Sequence, residues 1–517
     1  MTLGRAIATV GGFTLLSRVA GFLRDMVLSA VLGGGAIADA FFIAFKLPNF
    51  FRRLFAEGAF SAAFVPLFAR ELHEGGRDSA MLFARQAQAA LLVVLVPFVL
   101  LLILGMPWVM TLLAPGITDA ATFALAVDLG RLAFPYLLFI SLVSLYGGVL
   151  NGIERFAHVA ATPILLNLTM MAAVLGLTPY LPNGGYAAAV GVTLAGMVQW
   201  LWLVRACAKE KVLVGFIRPH WTPRVRRLVL LATPTAIGGG VQQISLMLDV
   251  VWASMLPAGA ISALYYADRL AQLPLSVAGI AVGTALLPLL ARQLRAGATA
   301  AAMANQNRAV EFGLLFALPA AVALWILAEP VIRLLFERGR FGPEETLRAA
   351  GALAAFSIGL PAFVLVKALA PGFFAREDTR TPLYVAIAAI TANIVFNVVF
   401  LFATQLHHVG IALASSLSGW LNAGLLAAIL LRRQHWQPDA RLGARLVRIV
   451  LASAGMGIGL WAITRHDASG IAVIALCIAG VTAYGILGML LGILRLDELK
   501  AAFRRPADTT TEANEAE

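Results

Sequence analysis

Charged side chains lie inside long apolar segments of this chain, and they constrain its fold more than any other feature. A charge at the centre of a bilayer costs about 2.5–3.5 kcal/mol on insertion scales, so few are kept for packing alone. They predict a water-filled cavity between helices, lined mostly by positive charge and suited to an anionic substrate. The polar and charged residues of the first two apolar segments are Ser17, Arg18, Arg24, Asp25, Asp39, Lys46, Asn49, Arg52, Arg53 and Glu57.

The composition is that of a polytopic membrane protein. Of the 517 residues, 60% are hydrophobic and 13% are charged, whereas about 25% of a soluble protein is charged. The net charge of +12 is explained by Lys and Arg in short cytoplasmic loops, so we expect no nucleic-acid partner. The sequence has no Gly-Lys pair and hence no Walker A motif, which argues against a nucleotide. The two cysteines and seven scattered histidines predict no disulfide framework and no metal site.

Fourteen apolar segments are long enough to cross a membrane, since a transmembrane helix needs about 20 apolar residues. We therefore predict an all-α polytopic membrane protein with 14 transmembrane helices. With the N-terminus in the cytoplasm, most of the 39 Lys and Arg residues fall in cytoplasmic segments, so both termini are predicted to be cytoplasmic. The predicted spans are 6–32, 37–69, 83–113, 122–150, 159–180, 186–207, 228–256, 260–291, 307–335, 347–374, 382–403, 409–431, 446–464 and 469–494.

The chain also contains an internal repeat with an offset of 222 residues. At this offset Pro66 aligns with Pro288, and Pro97 aligns with Pro319. Each copy holds six spans, and an even number returns the chain to its starting side, so the two copies are parallel. They are predicted to be related by a pseudo-twofold axis along the membrane normal, with the substrate between them.

The repeat divides the chain into four predicted parts. Residues 1–220 and 221–436 form two six-helix lobes around a central cavity. Residues 437–496 supply two extra C-terminal transmembrane helices outside the repeat. The composition of residues 497–517 predicts a disordered cytoplasmic tail.

The repeat places a second set of charges opposite the first. Asp268 is equivalent to Lys46, so its neighbour Arg269 is expected to enter the same cavity. Guanidinium groups stay charged and hold phosphate through two parallel hydrogen bonds, which makes a diphosphate a natural ligand. Spacing alone leaves Arg52 and Arg53 as alternatives, because a proline within this helix shifts its register.

Other interpretations of these charges remain open at the level of spacing. The arginines and acids of the first lobe could be structural ion pairs, or arginines that reach toward the membrane interface. Asp249 is an isolated acid within the seventh span and is a candidate cation or proton site. Structural pairing explains Asp249 equally well.

Five short segments carry a specific pattern: 17–25 (SRVAGFLRD), 39–42 (DAFF), 45–60 (FKLPNFFRRLFAEGAF), 265–270 (YYADRL) and 366–373 (VKALAPGF). They resemble the MurJ (MviN) family of lipid II flippases, and the resemblance covers nearly the whole chain. It implies the fold of the multidrug/oligosaccharidyl-lipid/polysaccharide exporters. It also implies that the two extra helices form a groove for a polyprenyl tail.

The resemblance further implies which residues bind the substrate. The diphosphate head group is expected to be bound by Arg18, Arg24, Arg52 and Arg269, so Arg52 is favoured over Arg53. The other polar residues are expected to support this cavity, namely Ser17, Asp25, Asp39, Lys46, Asn49, Arg53, Glu57, Asp268 and Lys367.

The expected function is transport of lipid II from the cytoplasmic to the periplasmic leaflet of the bacterial inner membrane by alternating access. Neither an enzymatic activity nor a cofactor is expected, and the membrane potential or a monovalent cation is the expected driving force. Membrane lipids and the cell-wall synthesis machinery are the expected partners. The alternatives are an exporter of another polyprenyl-linked oligosaccharide and a cation-coupled drug antiporter. A polytopic glycosyltransferase is a more distant alternative, since it needs acidic residues in a large aqueous loop.

Overall fold

The computed structural model describes residues 3–53, 60–464 and 470–493, with side chains outside 3–8, 235–246 and 277–285. Glu57 and the predicted tail 497–517 therefore lie outside the described residues. Within these ranges the regular elements are helical. Besides a short 3-10 helix at Thr178–Tyr180, they are α1 (Leu3–Leu32), α2 (Ala36–Phe51), α3 (Ser61–Leu104), α4 (Met106–Leu113), α5 (Ala120–Ala133), α6 (Tyr136–Gly152), α7 (Phe156–Ala160), α8 (Thr162–Leu177), α9 (Gly184–Lys209), α10 (Pro223–Ser254), α11 (Ala260–Arg295), α12 (Thr299–Ile326), α13 (Ala328–Phe336), α14 (Pro343–Phe374), α15 (Arg380–Ala403), α16 (His407–Arg432), α17 (Ala440–Thr464) and α18 (Gly470–Leu490).

The all-helical membrane fold predicted from the sequence is confirmed. In the described parts of the chain, every predicted span coincides with one helix or with consecutive helices. Ten helical segments are long and apolar enough to cross a membrane when only the described residues are considered. The exact number of 14 spans stays a prediction.

The first, second, seventh and eighth predicted spans are not among these ten, and each of them contains residues that the structure does not describe in full. They are also the spans in which the sequence places most of the candidate site residues. At the repeat offset of 222 the first two are equivalent to the other two. Most of the candidate site charges therefore lie in two repeat-related pairs of helices, and Lys367 in the tenth span is the exception.

Local backbone chemistry explains where the longest helix bends. A straight helix of the length of α3, 44 residues, would extend roughly 66 Å, about twice the hydrocarbon thickness of a bilayer. Gly76 interrupts α3 with a φ of 71°, a conformation that glycine adopts without steric cost. The interruption separates the end of the second predicted span from the start of the third.

The described residues form two compact units. The first unit takes its residues from Met1–Tyr266, Leu335–Ala349 and Thr404–Ile411, and the second from Ala267–Leu334, Ala350–Ala403 and Ala412–Glu517. The boundaries of these units follow how densely the residues pack, and they do not follow the boundaries of the sequence repeat. The lobe boundaries at 220 and 436 therefore stay predictions.

The first unit is built around a helix core rich in aromatic side chains. Helix α9 packs against α6 and α8, α2 packs against α5, and α10 packs against α3. Phe64 is fully buried and stacks on Phe68 and Phe83 with ring centroids 5.6 Å apart in each pair. Helices α1, α2 and α8 carry part of the candidate site, and they are positioned by the packing of α1 against α8 and of α2 against α5 and α9.

The second unit attaches the two extra helices to the rest of its bundle. Helix α17 packs against α12 and α18, and Leu327, Met456, Leu460 and Leu476 form a buried cluster where they meet. Large apolar side chains are exposed on the outer faces of the helices, for example Ile471 at 84%. Such extended apolar surface is typical of a lipid-facing protein.

Candidate functional site

The first helix carries a buried ion pair within its apolar sequence. The Arg24 guanidinium donates from Nε and Nη2 to Oδ1 of Asp25 over 3.0 and 2.7 Å. The two side chains are 8% and 4% exposed. Neighbouring residues on a helix do not normally face each other, but a buried charge is retained only when it is paired. The long arginine side chain therefore turns back onto the adjacent carboxylate.

Side chains from two other helices form hydrogen bonds with this ion pair. Nη1 of Arg24 donates to Oδ1 of Asn167 on α8 over 3.1 Å, and Nη2 lies 3.5 Å from the hydroxyl of Tyr265 on α11. The Tyr265 hydroxyl also donates to Oδ1 of Asp25 over 3.3 Å. Helices α1, α8 and α11 thus meet at one buried guanidinium, and this network lies entirely within the first unit.

The amide and the tyrosine that hold Arg24 are themselves fixed. Asn167 donates from Nδ2 to the backbone carbonyl of Ser17 over 3.2 Å. The ring of Tyr265 stacks on Phe42 of α2, with centroids 3.8 Å apart and planes inclined by 20°. The network is therefore pre-organised by aromatic packing and by a backbone contact.

Arg18 differs from Arg24 in exposure, although both are on α1. Arg18 is exposed and Ser17 is half-buried, while Arg24 and Asp25 are buried. The sequence predicted that all of these residues border one solvated cavity. The structure places Arg18 at the surface of its unit and Arg24 inside the helix packing, and their common cavity stays a prediction.

The second helix presents its polar residues near its C-terminal end. Arg52 donates from Nε to Oδ1 of Asn49 over 3.2 Å, and Nδ2 of Asn49 donates to the Phe45 carbonyl over 2.9 Å. Arg52 is half-buried and Arg53 is exposed. The chain forms a π-helical turn at these two arginines, a local widening that is frequent at functional sites. Lys46, about two turns before the arginines, is half-buried.

Asp39 has a different environment from the arginines. Its Oδ2 accepts the backbone N–H of Gly259 over 2.6 Å, and its Oδ1 accepts that of Ser262 over 2.7 Å. These are donors at the start of α11 that no residue of that helix can satisfy. Asp39 is buried, and its carboxylate caps α11 from another helix.

Three predicted site residues belong to the second unit. Asp268 and Arg269 are half-buried and Lys367 is exposed, and Nε2 of Gln272 donates to Oδ2 of Asp268. Their convergence with the arginines of the first unit stays a prediction. Asp249 is in the first unit and is half-buried.

Sequence reasoning did not select several residues that the structure brings into or near the site. Asn167 is a lone amide in an apolar helix, and this isolation is the signal that could have identified it. Tyr265 lies within the family pattern but was not assigned a role.

The architecture defines the class of protein. A solved structure described as a multidrug resistance MATE family transporter of the MOP superfamily, in an inward-facing conformation, has a TM-score of 0.68 at 13% identity and covers 83% of this chain and 95% of its own. A structure of lipid II flippase MurJ in an inward closed conformation has a TM-score of 0.78 at 24% identity and covers 93% and 98%. The chain therefore has the fold of the MOP-superfamily transporters.

The family is shown by sequence. The family model for lipid II flippase MurJ matches residues 28–480. The chain is 46% identical over 467 residues to a probable lipid II flippase MurJ of Rhizobium meliloti (strain 1021), covering 89% of this chain and 86% of that protein. It is 36% identical over 464 residues to the lipid II flippase MurJ of Burkholderia cenocepacia, covering 88% and 90%. The chain belongs to the lipid II flippase MurJ family.

Proposed function

We propose that this protein moves lipid II from the cytoplasmic to the periplasmic leaflet of the bacterial inner membrane. One observation carries the proposal, namely that most of the candidate site charges lie in the first, second, seventh and eighth spans, which form two repeat-related pairs of helices. Charges inside spans mark a substrate path in membrane transporters. Most of the candidate charges are arginines, and arginine is the side chain best suited to a diphosphate.

The buried and the accessible arginines have different tasks in this proposal. Arg24 is held by Asp25, Asn167 and Tyr265, so it fixes the geometry of α1. Arg18 and Arg52 are more accessible and make direct contacts with the diphosphate. Arg269 adds a further contact from the second repeat. The polyprenyl tail stays in hydrocarbon, along the groove of the two extra helices.

Charge movement supplies a driving force. The head group is anionic, and the membrane potential of a bacterium is negative inside. Each negative charge moved outward is favoured by about 2.3 kcal/mol per 100 mV. We therefore propose that the membrane potential or a monovalent cation drives alternating access of the two predicted lobes. Asp249 is the candidate cation or proton site.

The proposal is tested by depletion of the native flippase in a bacterial host that carries this chain on a plasmid. Arg18→Ala and Arg52→Ala each remove a charge-assisted contact of about 1.5–3 kcal/mol, or roughly 10- to 100-fold in head-group affinity. We expect cells with either variant to accumulate intact lipid II and to lyse. Lysine at either position keeps the charge but loses the two-pronged contact, so it restores growth only in part.

The matched control is Arg292→Ala, which removes an exposed arginine at the end of α11. This variant is expected to support growth, with membrane levels equal by immunoblot. Growth of the Arg18 and Arg52 variants at the rate of the control would contradict the proposal.

A further inference from the structure

A groove between α3 and the start of α10 has the chemistry of a lipid head-group site. It consists of two adjoining cavities of about 390 and 510 Å³, which share Arg227. The first lies between α3 and α10, and the second continues it along residues 221–230. Arg70 borders the first cavity and Arg226 the second. The distribution of Lys and Arg predicts that this end of both helices is cytoplasmic.

Part of the positive charge in this groove has no partner among the residues that the structure describes. Glu71 lies 3.3 Å from Arg224 and 3.9 Å from Arg70, so the nearest acid is already shared. The exposed side chains of Arg226 and Arg227 have no ion pair or hydrogen bond in the described part of the chain. Two adjacent guanidinium groups without a counter-ion are suited to a phosphate group.

The groove also has an apolar side, which a soluble anion would not need. Trp221 is 69% exposed and Leu230 is 62% exposed where they border the second cavity. Leu67 and Leu231 line the first cavity. Tryptophan is enriched at the membrane interface, because its ring is apolar and its N–H is polar. Basic pockets between spans on the cytoplasmic side are typical sites for anionic lipids.

We infer that the groove between α3 and α10 binds an anionic phospholipid of the cytoplasmic leaflet. Arg226 and Arg227 bind its phosphate, with Arg70 at the edge. Trp221 and the leucines contact the glycerol backbone and the first methylene groups of the acyl chains. Since α10 packs against α3, a lipid bound here bridges the two helices and stabilises their contact.

The test is a titration of the purified full-length protein in detergent with dioleoylphosphatidylglycerol, followed by native mass spectrometry and by thermal unfolding. Wild type is expected to bind this lipid in preference to dioleoylphosphatidylcholine and to unfold at a higher temperature with it. The double variant Arg226→Gln/Arg227→Gln is expected to bind phosphatidylglycerol about 10- to 30-fold more weakly. Trp221→Ala weakens binding by a smaller factor.

The control variant Arg292→Gln/Arg295→Gln loses the same charge from two exposed arginines in the last turn of α11. It is expected to bind the lipid like wild type. An equal loss in this control would mean diffuse attraction and would overturn the inference. If the double variant fails to fold, Arg227→Gln alone makes the same comparison.

Two further measurements distinguish this lipid site from other anion sites. Inorganic phosphate at millimolar concentration is expected not to displace the lipid, because it lacks acyl chains. Arg52→Ala, in the proposed substrate path, is expected to leave phosphatidylglycerol binding unchanged while flipping fails. Displacement by phosphate, or an equal loss of lipid binding in Arg52→Ala, would overturn the inference without touching the proposed flipping activity.

Discussion

Asp39 and Gly259 are 220 residues apart in the chain, and the carboxylate of the first accepts the backbone N–H of the second over 2.6 Å. With the N–H of Ser262 at 2.7 Å, the same carboxylate satisfies two donors of the first turn of α11. This is the task of an N-cap residue, carried out here from a different helix. One buried acid therefore fixes the position of α2 relative to the start of α11.

Replacement of Asp39 is expected to loosen this contact. Asp39→Ala leaves buried N–H groups without an acceptor, and a hydrogen bond to a charged group contributes about 1.5–3 kcal/mol. We expect a lower midpoint of thermal unfolding for the detergent-solubilised protein, and a smaller decrease for Asp39→Asn, which keeps one oxygen.

Asp119→Ala is the matched control for the Asp39 variants. Asp119 accepts the N–H of Thr122 over 2.9 Å at the start of α5, but this hydrogen bond is exposed. Water replaces the lost acceptor at this position, so the decrease should be smaller. Equal decreases of the unfolding midpoint for the two alanine variants would show that the buried cap stabilises the protein no more than an exposed one.

A second close contact in the first unit depends on a glycine. Gly339 has a φ of +62°, and a Cβ at this position would lie 2.3 Å from the backbone oxygen of Ala30. That oxygen accepts the N–H of Arg340 over 2.8 Å. Gly339→Ala is expected to combine backbone strain of about 1–2 kcal/mol with displacement of the segment 335–349.

The variant Gly297→Ala distinguishes the effect of backbone strain from that of the steric clash with Ala30. Gly297 has a φ of +73°, but nothing lies within 4 Å of its Cβ position. Its alanine variant should show the backbone strain alone. The unfolding midpoint should therefore decrease clearly more in Gly339→Ala than in Gly297→Ala, and equal midpoints would contradict the collision.

These contacts show where sequence reasoning succeeds and where it ends. Hydropathy encodes the helices directly, since each span needs its own apolar length, and the helical positions were predictable for this reason. Arginine within an apolar segment indicates a site, because the free-energy cost of placing its charge in the membrane must be offset by a partner, by water or by a substrate. The partners of these charges are set by packing between distant segments. Asn167 reaches Arg24 from 143 residues away, and the partners of Asp39 are backbone groups that leave no trace in the sequence.

The pair of Arg24 and Asp25 is expected to be strongly coupled. Removal of one partner of a buried ion pair leaves an uncompensated charge and costs about 3–5 kcal/mol. Arg24→Ala and Asp25→Ala should each destabilise the protein strongly, whereas the double variant should cost less than the sum of the two. Chemical denaturation of all four proteins in detergent gives the coupling free energy.

An exposed pair on α5 provides the comparison. Arg131 and Asp128 lie 3.8 Å apart, with side chains 43% and 48% exposed. An exposed pair contributes about 0–1 kcal/mol, so Arg131→Ala should have little effect. If the effects of the Arg24 and Asp25 variants on the free energy of unfolding are additive, the contact between the two side chains does not stabilise the protein.

The extra helix α17 is held by a charged cluster in the second unit. Glu311 on α12 accepts hydrogen bonds from Arg308 and Arg445. Beside it, Nε1 of Trp436 donates to Oδ1 of Asn307 over 2.6 Å. Loss of the buried Glu311 carboxylate removes the acceptor that Arg308 and Arg445 share. Arg308 keeps its pair with Asp439, but the start of α17 should loosen from α12.

Limited trypsin digestion of membranes measures this loosening. Glu311→Ala should speed cleavage between Arg432 and Arg448 several-fold, because the loosened chain exposes its arginines. Glu344→Ala is the control, since Glu344 is 77% exposed and pairs with Arg348 within one helix. A cleavage rate for Glu311→Ala equal to that of the control would contradict a role of the cluster in holding α17.

The orientation predicted from charge can be tested with two single cysteines. Pro219 lies in the loop before α10 and Pro182 in the loop before α9, and both are exposed. In a Cys477→Ser background, where the remaining Cys207 is buried, a membrane-impermeant maleimide added to spheroplasts should label Pro182→Cys and leave Pro219→Cys unlabelled. The reason is that seven Lys and Arg residues between 205 and 227 favour the cytoplasmic side. Permeabilised cells should label both positions, which controls for access. Labelling of Pro219→Cys in intact spheroplasts would reverse the orientation, and it would also place the groove between α3 and α10 on the opposite leaflet.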